Sequence, residues 1–188
     1  MANEYLQYKW RLWFQAVDVR QDGKIHLEDK LEEGERFAES HLFDLKQKKK
    51  LQQNLKLMYK DYIFRGKRSA ITEQEFVDMN SKDFQANQKA FGEKMQKCGD
   101  VIYSIYDING KCFLTEDEFV FAATSGTYEY IDQVKAIFRG EKQVNGKVPI
   151  KVLTQAWVLF STSEDSSKLD IIKLGLESSL GLSHKISL

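Results

Sequence analysis

Residues 18 to 29 read Asp18-Val19-Arg20-Gln21-Asp22-Gly23-Lys24-Ile25-His26-Leu27-Glu28-Asp29. Their spacing is that of a twelve-residue cation-coordinating loop held between two helices. In such a loop the first, third and fifth side chains supply oxygens, and the sixth residue is a glycine at a sharp turn. The seventh lends its carbonyl, the ninth often acts through water, and the twelfth returns a carboxylate from the next helix. Asp18, Asp22, Gly23, Lys24, His26 and Asp29 fall on those positions, but Arg20 occupies the third.

The eighth position of this loop is aliphatic and pairs with a sister loop, so it marks register where ligands are lost. Ile25, Ile71, Leu114 and Val148 satisfy it, at intervals of 46, 43 and 34 residues, and define loops 18–29, 64–75, 107–118 and 141–152. Four loops make two pairs. The flanks support this: Leu6, Trp10, Phe14 and Val17 recur at helical spacing with Trp13 beside them. Thr72 with Glu75, and Thr115 with Glu118, are hydroxyls followed three residues later by Glu, the box that caps a helix start. Leu51, Leu55, Met58, Tyr59, Tyr62 and Ile63 predict one helix before the second loop, and Val152, Leu153, Ala156, Trp157 and Phe160 predict one after the fourth. The expected fold is all-α, four helix-loop-helix units in two pairs forming one compact body, with a short two-stranded ladder between paired loops. The expected divisions are 1–97, 98–177 and a tail over 178–188.

Composition narrows the partners. Lys plus Arg and Asp plus Glu both number 28, so no overall field recruits nucleic acid. No run approaches the ~20 apolar residues of a membrane-spanning helix. Cys98 and Cys112 form no paired motif and the start carries no apolar leader, which makes the cytosol the expected location.

The loops differ in chemistry. Asp29 is one methylene shorter than the usual Glu, favouring fewer ligands and suiting magnesium nearly as well as calcium. The Arg20 guanidinium keeps its charge, so it must swing out of the loop or replace the metal by bridging Asp18 to Asp22 or Asp29. In the second loop Phe64, Gly66, Arg68 and Ser69 displace ligands and leave Glu75. The third keeps Asp107, Asn109 and Glu118, but places Lys111 at the fifth position and Cys112 where glycine should turn. The fourth keeps Asn145 and Gly146 and ends in Val152, which coordinates nothing.

The near-motif ending in Asp29, the long first interval, the degenerate second loop and the segment from Trp157 to Asp165 resemble the invertebrate sarcoplasmic calcium-binding proteins and calexcitins. Coelenterazine photoproteins and luciferin-binding proteins are more distant relatives, and the likeness covers roughly residues 5 to 175. This resemblance implies four EF-hands in one body that buffer calcium and magnesium. Residue by residue, Asp18, Asp22, Lys24 and Asp29 match its metal pattern, with Asp107, Asn109 and Glu118 a partial second set. Arg20, Lys111, Cys112 and the neutral charge balance depart from it.

The functional expectation is therefore an EF-hand protein with at most one weak calcium or magnesium site, formed by Asp18, Asp22, Lys24, His26 and Asp29. The alternative is a metal-independent scaffold that binds a protein partner, or an apolar small molecule of unknown identity in a cavity lined by Trp10, Trp13, Phe14 and Trp157. An aromatic stripe at helical spacing is more often plain core. Residues 44 to 68 hold nine basic and two acidic residues, a patch that suits an acidic partner or lipid heads. No phosphate-cradling glycine loop, zinc spacing or nucleophile with a His partner suggests an enzyme.

Overall fold

The computed structural model describes residues 2–40, 42–66, 70–107, 109–124 and 131–182; the side chains of Asp29, Lys30, Glu33, Ser40, residues 121–124 and Gln133 lie outside that description. Arg68, Ser69, His41 and His184, singled out above or present as further histidines, fall outside it too.

The first unit is α1 (Glu4–Val17), β1 (Lys24–His26) and α2 (Leu27–Ser40). Then come α3 (Leu45–Leu57), a π-helical segment (Met58–Phe64), β2 (Ala70–Thr72) and α4 (Glu73–Ala86). The second half holds α5 (Gln88–Tyr106), β3 (Phe113–Leu114), α6 (Glu116–Thr124), α7 (Ile131–Gly140), β4 (Val148–Pro149), α8 (Ile150–Thr162) and α9 (Ile171–Ser179). α5 runs unbroken across residues 97 and 98, so the two loop pairs share a helix at their junction.

The strands form two antiparallel ladders, β1 with β2 and β3 with β4. Ile25 stands opposite Ile71, and Leu114 opposite Val148. These are the four eighth-position residues, and all are buried. Both predicted capping boxes form locally. Thr72 Oγ1 accepts from Glu75 N while Glu75 Oε2 accepts from Thr72 N at 2.9 Å, and Thr115 with Glu118 repeats the pattern at 3.0 Å.

The helix expected over residues 51 to 63 is instead two pieces. α3 gives way at Met58 to the π-helical turn, which ends on Arg65 in the left-handed region at φ 48°. The physical reason is side-chain anchoring. Arg65 donates to the Tyr62 carbonyl, to Asp83 Oδ2 at 3.2 Å and to the buried Asn80, and this fixes the chain reversal against α4.

Leu6, Trp10, Trp13, Phe14 and Val17 of α1 are all buried, as their spacing predicts. α5 and α8 approach closely over Gly99, where a Cβ would lie 2.9 Å from Trp157 Cδ1 and 3.0 Å from Thr154 Cγ2. The two ends of the chain close on each other. Trp10 Nε1 donates to the Ser161 carbonyl at 3.0 Å, Asn3 binds Glu164, Tyr8 donates to Glu177, and Lys9 pairs with Asp170 at 3.0 Å with both side chains buried. No helix among the described residues is long and apolar enough to cross a membrane.

Candidate cation-binding loops

In the first loop Asp18 ends α1 and turns its carboxylate into the loop. It accepts from Gly23 N at 2.9 Å and from Asp22 N at a longer 3.4 Å. Gly23, at φ 82°, makes the turn that a side chain would strain. Asp22 accepts from Lys24 N at 3.0 Å and lies 3.2 Å from His26 Nε2. Among the described residues Arg20 forms no ion pair with Asp18 or Asp22, and the Asp29 side chain, the other bridging partner considered, lies outside them. The Arg20 Nε lies 3.9 Å from Glu32 Oε2 on α2.

Asp18 is 6% exposed, and among the described residues it meets backbone donors and no countercharge. A buried carboxylate normally has a cation or several strong donors. Asp29 begins within α2 at the twelfth position. Its side chain is one of those outside the described residues, so four expected contributors, Asp18, Asp22, the Lys24 carbonyl and His26, are placed around this loop and the fifth is placed by backbone alone. Among the described residues, no three His, Cys, Asp or Glu side chains are grouped closely enough to hold a metal ion.

The third loop has the same scaffold with different contents. Asp107 accepts from Lys111 N at 2.8 Å and Cys112 N at 2.7 Å, repeating what Asp18 does in the first. Cys112 takes the glycine turn at φ 64°, a left-handed conformation that L-residues reach at a cost of ~1–2 kcal/mol. Lys111 Nζ lies 2.6 Å from Glu118 Oε1. This ammonium occupies the fifth-position side chain and neutralises the twelfth-position carboxylate. Burial alone would raise the Glu118 pKa, yet the Lys111 ammonium and the Thr115 donors bring it below the ordinary value, while Glu118 raises that of Lys111. Asn109, the third-position residue, accepts from Gln47 of α3 at 3.1 Å. Lys111 thus makes within the third loop the kind of internal ion pair that the sequence suggested for Arg20 in the first.

The second loop directs its surviving acid, Glu75, into the Thr72 cap. The fourth closes as a tight hairpin: Val144 N donates to the Lys147 carbonyl at 2.8 Å and Lys147 N returns the bond at 3.2 Å. Asn145 and Gly146 between them have φ 52° and 72°, the mirror-image turn that Asn-Gly favours. The seventh-position carbonyl is consumed there. Glu141 at the first position has a pKa raised by desolvation, so this loop disfavours rather than gathers negative charge.

The aromatic residues considered as a cavity lining, Trp10, Trp13, Phe14 and Trp157, are buried against other rings. Trp13 sits 4.9 Å from both Phe76 and Trp157 in edge-to-face geometry, Trp10 is 5.8 Å from Phe91, and Phe14 is 6.0 Å from Phe76. Such pairs contribute ~0.5–1.5 kcal/mol beyond their buried area. Trp157 Nε1 and Thr154 Oγ1, one turn apart on α8, are buried without a hydrogen-bond partner. The basic segment 44–68 forms the exposed side of α3 and the π-helical turn, except for residues 67–69, which lie outside the described residues.

Three contacts escaped sequence reasoning: Lys111 with Glu118, Gln47 with Asn109, and Arg65 with Asn80 and Asp83. The first was within reach, because the fifth and twelfth positions of the loop face one another by construction.

No family model matches the chain. It is similar to the sarcoplasmic calcium-binding protein of Mizuhopecten yessoensis, 29% identical over 176 residues that cover 93% of this chain and 99% of that protein. In structure it is similar to the coelenterazine-binding protein of Renilla muelleri in its calcium-loaded apo form, with a TM-score of 0.68 at 17% identity over 91% of this chain and 92% of that one. The sarcoplasmic calcium-binding protein of amphioxus gives 0.62 at 16% identity over 94% and 98%. The fold is that of the compact EF-hand proteins.

Proposed function

We propose that this protein binds one divalent cation, calcium or magnesium, weakly in the loop 18–29, and that the other three EF-hand units serve as scaffold. The observation that carries the reading is the contrast between two loops of like backbone. In the third, Lys111 supplies a positive charge to Glu118. In the first, the buried Asp18 meets backbone donors and no countercharge among the described residues. Asp18, Asp22 and Asp29, with the Lys24 carbonyl and His26, would hold the ion. Bound there, it would neutralise the carboxylates and tie the end of α1 to the start of α2. Three carboxylates and an Asp at the closing position place the expected dissociation constant at the weak end of the class, ~0.1–1 mM. The likeness to the sarcoplasmic calcium-binding proteins of Mizuhopecten yessoensis and amphioxus supports a metal-ion partner.

Calcium and magnesium titrations, followed calorimetrically and by the fluorescence of Trp10 and Trp13 on the entering helix, test this. Saturable binding that Asp18→Asn abolishes is expected. Silence at several millimolar of either ion overturns it.

A further inference from the structure

α2 and α3 form an antiparallel hairpin whose inner side, Phe37, Ala38, Leu51 and Leu55, joins the core. A groove of about 350 Å³ opens between the helices, with Ala38, Leu51 and Leu55 of that core side at its floor. Leu31, Gly34, Glu35, Ala38 and Glu39 line it from α2; Lys48, Leu51, Gln52, Leu55 and Lys56 line it from α3. The helices meet closely at Gly34, where a Cβ would lie 2.8 Å from Leu55 Cδ1. Leu27 and Leu31 on α2 and Leu45 on α3 continue the groove's apolar stripe at helical spacing, and Leu31 and Leu45 are 55% and 87% exposed. Isolated exposed leucines are ordinary, but a stripe beside a groove marks an interaction surface.

The charges choose the occupant. The α2 sequence holds six acidic and two basic residues, and the α3 sequence five basic and no acidic. At the groove itself the α2 wall offers Glu35 and Glu39, and the α3 wall Lys48 and Lys56. None of these four has an ion-pair partner among the described residues. One negative wall beside one positive wall is a self-complementary pattern. Laid face to face, two such hairpins can be related by a two-fold axis along the helices or across them. The crosswise axis sets α2 against α2 and α3 against α3, like charge on like. The axis along the helices sets each α2 over the other copy's α3, antiparallel, and keeps every residue at its own level. Glu39 then meets the second copy's Lys48, and Lys48 meets its Glu39, as an isologous contact requires.

We infer that the outer face of the α2–α3 hairpin is a docking surface for a second copy of this chain, paired about a two-fold axis parallel to those helices. Helices of this length span ~21 Å, and two side by side present a face of roughly 400 Å² per copy, at the low end for specific association. The dimer is accordingly transient. Electrostatics set its orientation and salt dependence more than its strength.

Sedimentation equilibrium of the full chain over a micromolar to millimolar range tests this, at low and high salt and with circular dichroism to verify folding. A concentration-dependent dimer that weakens with salt is expected. Glu39→Lys alone and Lys48→Glu alone each place like charges across both contacts and should weaken it at least several-fold. Mixing the two variants restores opposite charges at both contacts, so the mixed pair should recover dimerisation that neither variant shows alone. A wild-type chain that stays monomeric throughout the range overturns the inference, leaving the groove for a different partner. A dimer indifferent to both charge reversals, or a mixture no better than its components, overturns it equally.

Discussion

The buried pair between Lys9 and Asp170 gives a sharp test of what holds the two ends of the chain together. Asp170→Asn keeps the side-chain volume, and its amide oxygen still accepts from Lys173 N, the bond that caps α9. It removes the charge 3.0 Å from the Lys9 ammonium, whose other neighbours are the Leu159 carbonyl at 3.4 Å and the faces of Tyr5 and Phe160 at 4.7 and 5.7 Å. Burial already lowers the Lys9 pKa, and Asp170 is the chief influence opposing it. Breaking one side of a buried pair costs ~3–5 kcal/mol. Releasing the lysine proton at neutral pH sets a ceiling of similar size, ~5 kcal/mol, at 1.36 kcal/mol per pH unit. For a chain of this length 1 kcal/mol moves the midpoint by ~2–4 °C, so a fall of ~6–20 °C is expected. Between its lowered folded value and the ordinary 10.5, Lys9 binds more protons unfolded than folded, so its contribution to stability rises with pH there. The Asp170→Asn deficit should shrink toward alkaline pH. Lys9→Met combined with Asp170→Asn removes both charges and should recover most of the loss, a coupling of at least ~2 kcal/mol. Thermal and urea unfolding monitored by circular dichroism provide the measurement. A single-variant loss under ~1 kcal/mol, as exposed pairs give, or a double variant whose cost is the sum of the singles, refutes the reasoning.

Lys111→Asp should convert the third loop from self-neutralised to ion-binding, because Asp107, Asn109, Glu118 and the new carboxylate then stand without an internal ammonium; calorimetric calcium titration should show one more site than the wild type, and an unchanged count rejects the replacement role of Lys111. Alkaline pH should destabilise the fold from about pH 10 upward. Burial lifts the Tyr103 phenol well above 10.0, and burial with Glu177 lifts Tyr8 to about 12. The unfolded chain therefore releases these protons first, and stability present below pH 10 is lost as pH rises. Urea midpoints across this range should fall for the wild type and fall less steeply for Tyr103→Phe.

Legibility in the sequence followed how local the physics was. Ile25, Ile71, Leu114 and Val148 fixed the ladder partners because a buried two-stranded pair tolerates no slip in register. The capping boxes of Thr72 and Thr115 could be read because donor and acceptor lie three residues apart. Lys9 could not. A lysine near the start of an amphipathic helix normally projects into water, and its partner lies 161 residues away. Arg65 shows the same limit: its bonds to Asn80 and Asp83 exist only once α4 has docked, so the π-helical turn they secure left no periodic trace. The loops were half legible. Their ligand positions could be counted from sequence, but whether Arg20 or Lys111 would turn inward depended on the acid nearest each cation: Glu32 on the flank of α2 for one, Glu118 at the loop's own closing position for the other.

That difference bears on what keeps these loops in shape. The EF-hand backbone needs its first carboxylate to hold the turn and its twelfth residue to start the next helix, and both tasks are met by hydrogen bonds. Asp18 and Asp107 accept loop amides, and Glu75 and Glu118 cap α4 and α6. Beyond those bonds, Lys111 supplies a countercharge to Glu118 in the third loop, and the Asn145-Gly146 turn closes the fourth with backbone bonds. Once the ladders, the aromatic core and the clasp of α1 on the C-terminal segment fix the loops from outside, coordination adds stability only where a carboxylate is buried and uncompensated. Asp18 meets that condition. An Asn at position 18 would accept the same amides without the charge, so Asp18→Asn separates the turn-holding role of this side chain from any role in meeting a cation.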